Sequence, residues 1–303
     1  MARVKSGQID IVLDLITQIA KNLLMGSRTV RDLRLKRPRT STIHTNVDEF
    51  LTNYAFAGLN LLQEHVGEIK GKSVCEIGPG DYLTSGLSIL ASGASFYCVI
   101  DRFPGDYFGD AAKQWYREIE NNWPRFYPEI PWDETISADR FPGDSVDRLE
   151  LIGESIEDAV SARRYDIVCS FQVGEHVSDI EAFAAVHNRL MADNGVGLHR
   201  VDFSQHDVWS AYRDPATFLR FSDRVWNLTG SNRGIPNRKR HHEFLAAFDR
   251  AGLNVEVLFT DSFDRSVVDL KKLHRKFREM PLDSVLTGTA IYRLTKRQTA
   301  NGK

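Results

Sequence analysis

Histidines and carboxylates that follow short apolar runs are the side chains in this sequence best suited to move a proton. His176 follows the run 166–171 through Gln172-Val-Gly-Glu, and His199 lies in the run 195–201, with Asp202, His206 and Asp207 just beyond it. An imidazole titrates near neutrality, so either ring can act as a general base, and a neighbouring carboxylate such as Asp202 can hold its tautomer. Of the two, His199 is the preferred base and His176 the second choice, because His199 stands at the entry to an aromatic-rich segment. The His and Asp residues around 199–207 could gather a divalent ion, but strand alternation separates them and no fixed ligand spacing is present, so no metal is assigned.

The second informative group is Ser73-Val-Cys-Glu76-Ile-Gly78-Pro-Gly80-Asp-Tyr-Leu83. An apolar run enters a Gly-x-Gly turn, which lets the backbone approach a ligand closely. A dinucleotide site calls for a third glycine where Leu83 stands, and Glu76 would repel a pyrophosphate while suiting a cationic ligand. Asp101 follows Gly78 by 23 residues, at the end of the next apolar run, where a carboxylate can accept ribose hydroxyls.

The elements that position these residues follow from periodicity. Up to about residue 66 apolar residues recur at helical steps. Beyond Gly71, strand-length runs at 73–77, 95–100, 149–152, 166–171, 195–201, 254–260 and 289–294 alternate with helix-length segments, the pattern of an open α/β sheet with helices on both faces. The expected layout is an N-terminal helical extension over 1–70 and one α/β domain over 71–303. Two irregular aromatic-rich segments interrupt it near 103–147 and 203–242. The first contains a repeated Asp-Arg-Phe-Pro-Gly-Asp at 101–106 and 139–144, read as two similar turns.

Taken in order, these motifs resemble those of the class I S-adenosylmethionine-dependent methyltransferases over roughly residues 71–203. The resemblance implies a doubly wound, mostly parallel seven-stranded sheet and S-adenosylmethionine as cofactor. It gives Glu76, Gly78, Gly80 and Gln172 to the cofactor site, with Asp101 on the ribose and Glu154 and Ser155 at the adenine, and the Glu-His-Val segment after the fourth strand carrying His176. A looser likeness of 199–238 to methyltransferases of bacterial glycan gene clusters implies O-methylation of a sugar or similar polar hydroxyl. Phe218, Leu219, Arg220, Phe221, Trp226, Asn237 and Arg238 are then candidate sugar contacts, and the two irregular segments the walls of the acceptor pocket. RNA or N- or C-methylation, and a catalytically silent binding protein, are the alternatives.

Composition sets the outer bounds. The 303 residues are 42% hydrophobic and 26% charged with net charge −2, so the chain as a whole does not attract polyanions, and nucleic acid is not the expected partner. Three scattered cysteines, Cys75, Cys98 and Cys169, fit a reducing cytoplasm and small buried positions better than disulfides. The apolar stretch 9–25 carries charges at helical spacing and reads as an amphipathic helix. With the basic stretch 28–39 it leaves peripheral membrane contact open but contains no spanning segment.

Overall fold

The computed structural model describes residues 5, 7–30, 46–232 and 235–298. Seven strands, β1 (Ser73–Ile77), β2 (Phe96–Ile100), β3 (Leu149–Ile152), β4 (Tyr165–Phe171), β5 (Met191–Asp202), β6 (Leu253–Ser262) and β7 (Thr287–Lys296), form one sheet in the order β3-β2-β1-β4-β5-β7-β6. β1 pairs in parallel with β2 and β4, and β4 in parallel with β5, whereas β7 runs antiparallel to both β5 and β6. The order turns back on itself between β1 and β4, and the carboxyl ends of those two strands border the crevice where open α/β sheets bind ligands.

Period-two alternation divides β1 and β2 between two cores. Val74, Tyr97 and Val99 face a cluster built with residues 50–56 and the helices α2 (Ala57–His65), α3 (Thr84–Ala91) and α4 (Asp110–Phe126). Cys75, Ile77, Cys98 and Ile100 face a second cluster under α5 (Ile180–Leu190) and α7 (His241–Arg250). All three cysteines are free and buried.

The expected irregular segment 103–147 contains α4, a 17-residue helix whose Ala112, Tyr116, Ile119 and Trp123 are buried. Its aromatics pack the first core, with Trp123 Nε1 donating to the Ile130 carbonyl at 2.8 Å, and so build the domain itself. The repeat is split in use: Phe103 is exposed near Asp101, whereas Phe141 is buried against Tyr116 and precedes a cis proline. Phe50, Leu51, Phe56, Leu59 and Leu62, from the expected N-terminal extension over 1–70, also pack in the first core.

The segment 203–242 makes a third, satellite core of Trp209, Tyr212, Phe218, Leu219 and Trp226, closed by residues 263–286. The N-terminal helix α1 (Gln8–Met25) docks there on α6 (Asp223–Gly230), with Asn22 Nδ2 donating to the Leu228 carbonyl at 3.0 Å and Tyr212 Oη donating to Asp14 at 2.7 Å. The opposite face of α1 exposes Ile9, Val12, Leu13 and Ile16. The basic stretch 28–39 lies mostly outside the described residues. Among the described residues no helix is long and apolar enough to cross a membrane.

One glycine beyond the turn sets how closely α3 meets the sheet. Gly86, inside α3, faces the Tyr97 ring so closely that a Cβ would sit 2.3 Å from a ring carbon. Leu83, where a dinucleotide site calls for a glycine, is a fully buried core residue. An alanine at 86 gains up to about 1 kcal/mol of helix propensity, but overpacking against a buried ring costs about 1–3 kcal/mol. Gly86→Ala is therefore expected to lower stability in urea denaturation, and a gain would mean that α3 has room to shift.

Candidate functional site

The turn after β1 is shaped for close approach. Gly78 and Gly80 have φ of +68° and +88°, a region L side chains rarely adopt, and the Gly78 N–H donates to the Ile100 carbonyl at 2.8 Å. A Cβ at Gly80 would meet nothing within 4 Å, whereas one at Gly78 would strike Val173 at 2.8 Å. The glycine turn thus leaves open space on one side and rests on the loop after β4 on the other. Glu76 lies beneath it, 2% exposed, accepting a hydrogen bond from Tyr97 Oη. Burial pushes its carboxyl up to about 7, the Tyr97 bond works against that rise, and Asp101 adds to it. The carboxyl therefore does not carry the full, exposed negative charge that the sequence reading gave it at neutral pH.

Asp101 ends β2, with Oδ1 accepting from the Phe103 N–H at 2.7 Å. Beyond β3, Glu154 and Ser155 line an open cleft of about 440 Å³ together with Arg102, Gly153, Glu157, Asp158 and Ser178. Ser155 also donates to Asp158 at 2.8 Å within its own turn. Gln172 begins the loop after β4 with φ +60°, its N–H bonded to the Arg200 carbonyl. Glycine turn, Asp101, the Glu154-Ser155 turn and Gln172 all stand at carboxyl ends of parallel strands, on one edge of the sheet.

His199 is elsewhere. It is fully buried in the middle of β5, facing Phe183, His187 and Phe248. Nδ1 pairs with Ser170 Oγ at 2.8 Å and Nε2 with His187 Nε2 at 2.7 Å. Period two does put His199, Val201 and Phe203 on one face, as expected, but that face is the one covered by α5 and α7. No acceptor can reach its ring, and the preferred base assignment is corrected. His187, which the sequence reading did not single out, completes the pair by bonding the Phe183 carbonyl through Nδ1. Burial pushes His187 down to about 4 and His199 well below its ordinary range.

The second-choice histidine has better company. His176 ends a short turn, Gly174–His176, and its ring lies edge-on to His206 with centroids 5.1 Å apart. Asp202 Oδ2 stands 3.4 Å from His206 Nε2. Burial works against ionisation of Asp202, but Ser204 and the His206 ring outweigh it and hold the carboxyl below its usual range. Glu175, unremarked as a site residue in the sequence, is 2% exposed, and neither carboxylate oxygen has a hydrogen-bond partner. Burial pushes this carboxyl up to about 8, with Asp202 adding to the rise. Three ligand-type atoms, one each from Glu175, His176 and His206, lie within 4.8 Å of one another. Asn237 clamps the turn: Nδ2 donates to the carbonyls of Gly174 and Val177, and its N–H to that of Glu175.

The proposed sugar contacts are mostly occupied. Phe218 and Trp226 are buried in the satellite core. Arg238 is 2% exposed, stacked on Trp226 and Phe277 and paired with Asp223. Arg240, also buried, donates to the carbonyls of Phe203, Val285 and Thr287. Of the basic run 238–240, two members thus hold the fold together and are not available to solvent.

A family described as a methyltransferase domain matches residues 47–258. The chain belongs to that family. It is an S-adenosylmethionine-dependent methyltransferase, with the sheet expected from the class I resemblance. No curated protein matches it. Among solved structures it is similar to an S-adenosylmethionine-dependent methyltransferase of Mesorhizobium loti (13% identity, 82% of this chain and 99% of that one, TM-score 0.44). Also similar are the N-methyltransferase NodS of Bradyrhizobium japonicum (13%, 80% and 95%, 0.40) and a protein of Pyrococcus horikoshii described as a candidate RNA methyltransferase (17%, 89% and 96%, 0.39). The match begins at residue 47, in agreement with the place of residues 47–65 in the first core of this methyltransferase.

Proposed function

We propose that this methyltransferase transfers its methyl group to a hydroxyl of a polar small molecule, a sugar hydroxyl being the class the sequence favours. The observation that carries this is the grouping of His176, His206 and Asp202 beside the glycine turn: a hydroxyl must lose a proton as it attacks, and these groups can take one. An amine deprotonated near neutrality would need no such cluster.

In this reading Gly78 and Gly80 admit the cofactor's methionine end above Glu76, Asp101 takes the ribose, Glu154 and Ser155 border the adenine, and Gln172 lines the edge between. The open space over Gly80 and the cleft at Glu154 support the fit. When bound, the cofactor supplies a methyl group on a positively charged sulfur. The chain's part would be to hold an acceptor hydroxyl facing that methyl group and to receive its proton. The acceptor proton passes to the cluster, where Asp202 steadies the His206 ring.

Two measurements test the reading. Asp101→Ala is expected to weaken S-adenosylhomocysteine binding by about 1.5–3 kcal/mol in calorimetry, the size of hydrogen bonds made by a charged group; unchanged affinity would place the ribose elsewhere. Radiolabelled methyl transfer should then appear on hydroxyl-bearing sugars or glycosides and be absent with RNA and with amines. Transfer to RNA or to an amine alone would overturn the acceptor assignment while leaving the cofactor site intact.

A further inference from the structure

We propose that Glu175, His176 and His206 form a binding site for a divalent first-row transition-metal ion of the Zn²⁺ or Mn²⁺ kind. The residues come from two elements: the turn after β4 supplies Glu175 and His176, and the loop after β5 supplies His206. One atom from each lies within 4.8 Å of the others. A tetrahedral or octahedral site with bonds of about 2.1 Å requires edges of roughly 3–3.5 Å, so the side chains would draw together on binding.

Glu175 is what separates this cluster from a chance gathering of polar groups. Its side chain is buried, and although the backbone amides of Glu175 and Asp202 lie close enough to oppose the rise of its carboxyl, neither oxygen makes a well-formed hydrogen bond. Buried polar atoms are nearly always satisfied, and an orphaned pair calls for an ion or water not otherwise accounted for. Nε2 of His206 is likewise buried, with the Asp202 carboxylate 3.4 Å from it. A cation would satisfy the orphaned carboxylate of Glu175. Asp202 adds a negative charge beside the site that offsets the ion's. The turn is held in register by the three Asn237 hydrogen bonds, so the carboxylate is fixed before any ion arrives. Two imidazoles and one carboxylate favour a transition metal over Mg²⁺ or Ca²⁺, which prefer all-oxygen shells.

The existence of the site is independent of the acceptor reading, but the ion's task rests on it. With three protein ligands, coordination positions remain for an acceptor oxygen, whose proton an adjacent cation makes easier to remove. Imidazoles that hold an ion cannot also take that proton, so Asp202 would then receive it.

The test is titration of the full-length protein, freed of metal by chelator and dialysis, with Co²⁺ alone, read by visible absorption. One Co²⁺ per chain is expected, displaced by Zn²⁺, with His206→Gln and Glu175→Gln each weakening binding at least about tenfold. The His206 variant guards against a Glu175 variant that does not fold. Absence of a stoichiometric Co²⁺ complex, or wild-type affinity in both variants, overturns the site. S-adenosylhomocysteine binding measured on the same samples is expected to survive, and its loss from the wild-type protein would instead count against the cofactor site.

Discussion

Replacing both buried histidines, His187→Leu with His199→Leu, is expected to make the protein's stability less sensitive to acid. The chain of hydrogen bonds has one consistent neutral arrangement: Ser170 O–H donates to His199 Nδ1, His199 Nε2–H to His187 Nε2, and His187 Nδ1–H to the Phe183 carbonyl. A proton added to His187 would place two N–H donors face to face, and one added to His199 would leave a positive charge buried in the core with no carboxylate bonded to it. His187, with an ordinary value of 6.5 pushed down to about 4 by burial, therefore binds fewer protons folded than unfolded throughout that interval. Its contribution to stability is fully present above pH 6.5 and is lost as pH falls, by about 2 kcal/mol at pH 5 and roughly 3 kcal/mol below pH 4. His199 adds loss of the same sign.

Glu76 and Glu175 act in the opposite sense. Their carboxyls are raised by burial to about 7 and about 8, so the stability linked to them is greatest at low pH and declines as pH rises through those values. The wild-type profile mixes both signs, and the histidine part is read as the difference between wild type and double variant. Urea denaturation should show that difference moving by about 2 kcal/mol or more in the variant's favour between pH 7 and pH 5. A constant gap would mean that the pair is not kept neutral.

The second large effect is on turnover. His176→Gln and His206→Gln are each expected to lower the rate of methyl transfer by about 10² to 10⁴, with S-adenosylhomocysteine affinity within a few fold of wild type. His199→Gln should change stability but not the rate of the remaining folded protein. A reversed result, with His199 carrying the kinetic loss, would require that the α5 and α7 cover open during catalysis. Loss of cofactor binding together with rate in the His176 variant would assign that ring to the cofactor instead.

These contrasts mark what the residues alone could convey. Strand positions were legible because parallel strands covered on both faces are short, nearly uninterrupted apolar runs: 73–77 coincides with β1, and 166–171 lies within β4. β5 begins four residues before the expected run because the ladder partner passes from Met191 to Val196 across an irregularity, with residues between them that no alternation can reveal. The helix α4 was concealed by its aromatics and Pro124, although Ala112, Tyr116, Ile119 and Trp123 do carry helical spacing. His199 shows the limit of period two, which sorts residues into faces but does not say which face a helix covers. Arg238 and Arg240 look like solvated charge in sequence, since nothing local announces that backbone carbonyls and aromatic rings will enclose them. Glu175 was passed over because a carboxylate beside a histidine is ordinary in sequence, and only its burial without partners makes it unusual.

The clamp made by Asn237 ties two parts of the molecule mechanically. One side chain and one amide hold the whole turn that carries Glu175 and His176, and they belong to the strap 235–240, which is anchored through Arg238 to the satellite core and through Arg240 to the starts of β7 and of the loop after β5. The turn's position is therefore inherited from a neighbouring lobe as much as from β4. A molecule that seats itself against that strap and shifts it would carry His176 along, so occupancy of the lobe and alignment at the sheet edge share one free-energy balance. By reciprocity, whatever fixes the turn from the crevice side also stiffens the lobe, and with it the dock for α1 more than two hundred residues earlier in the chain.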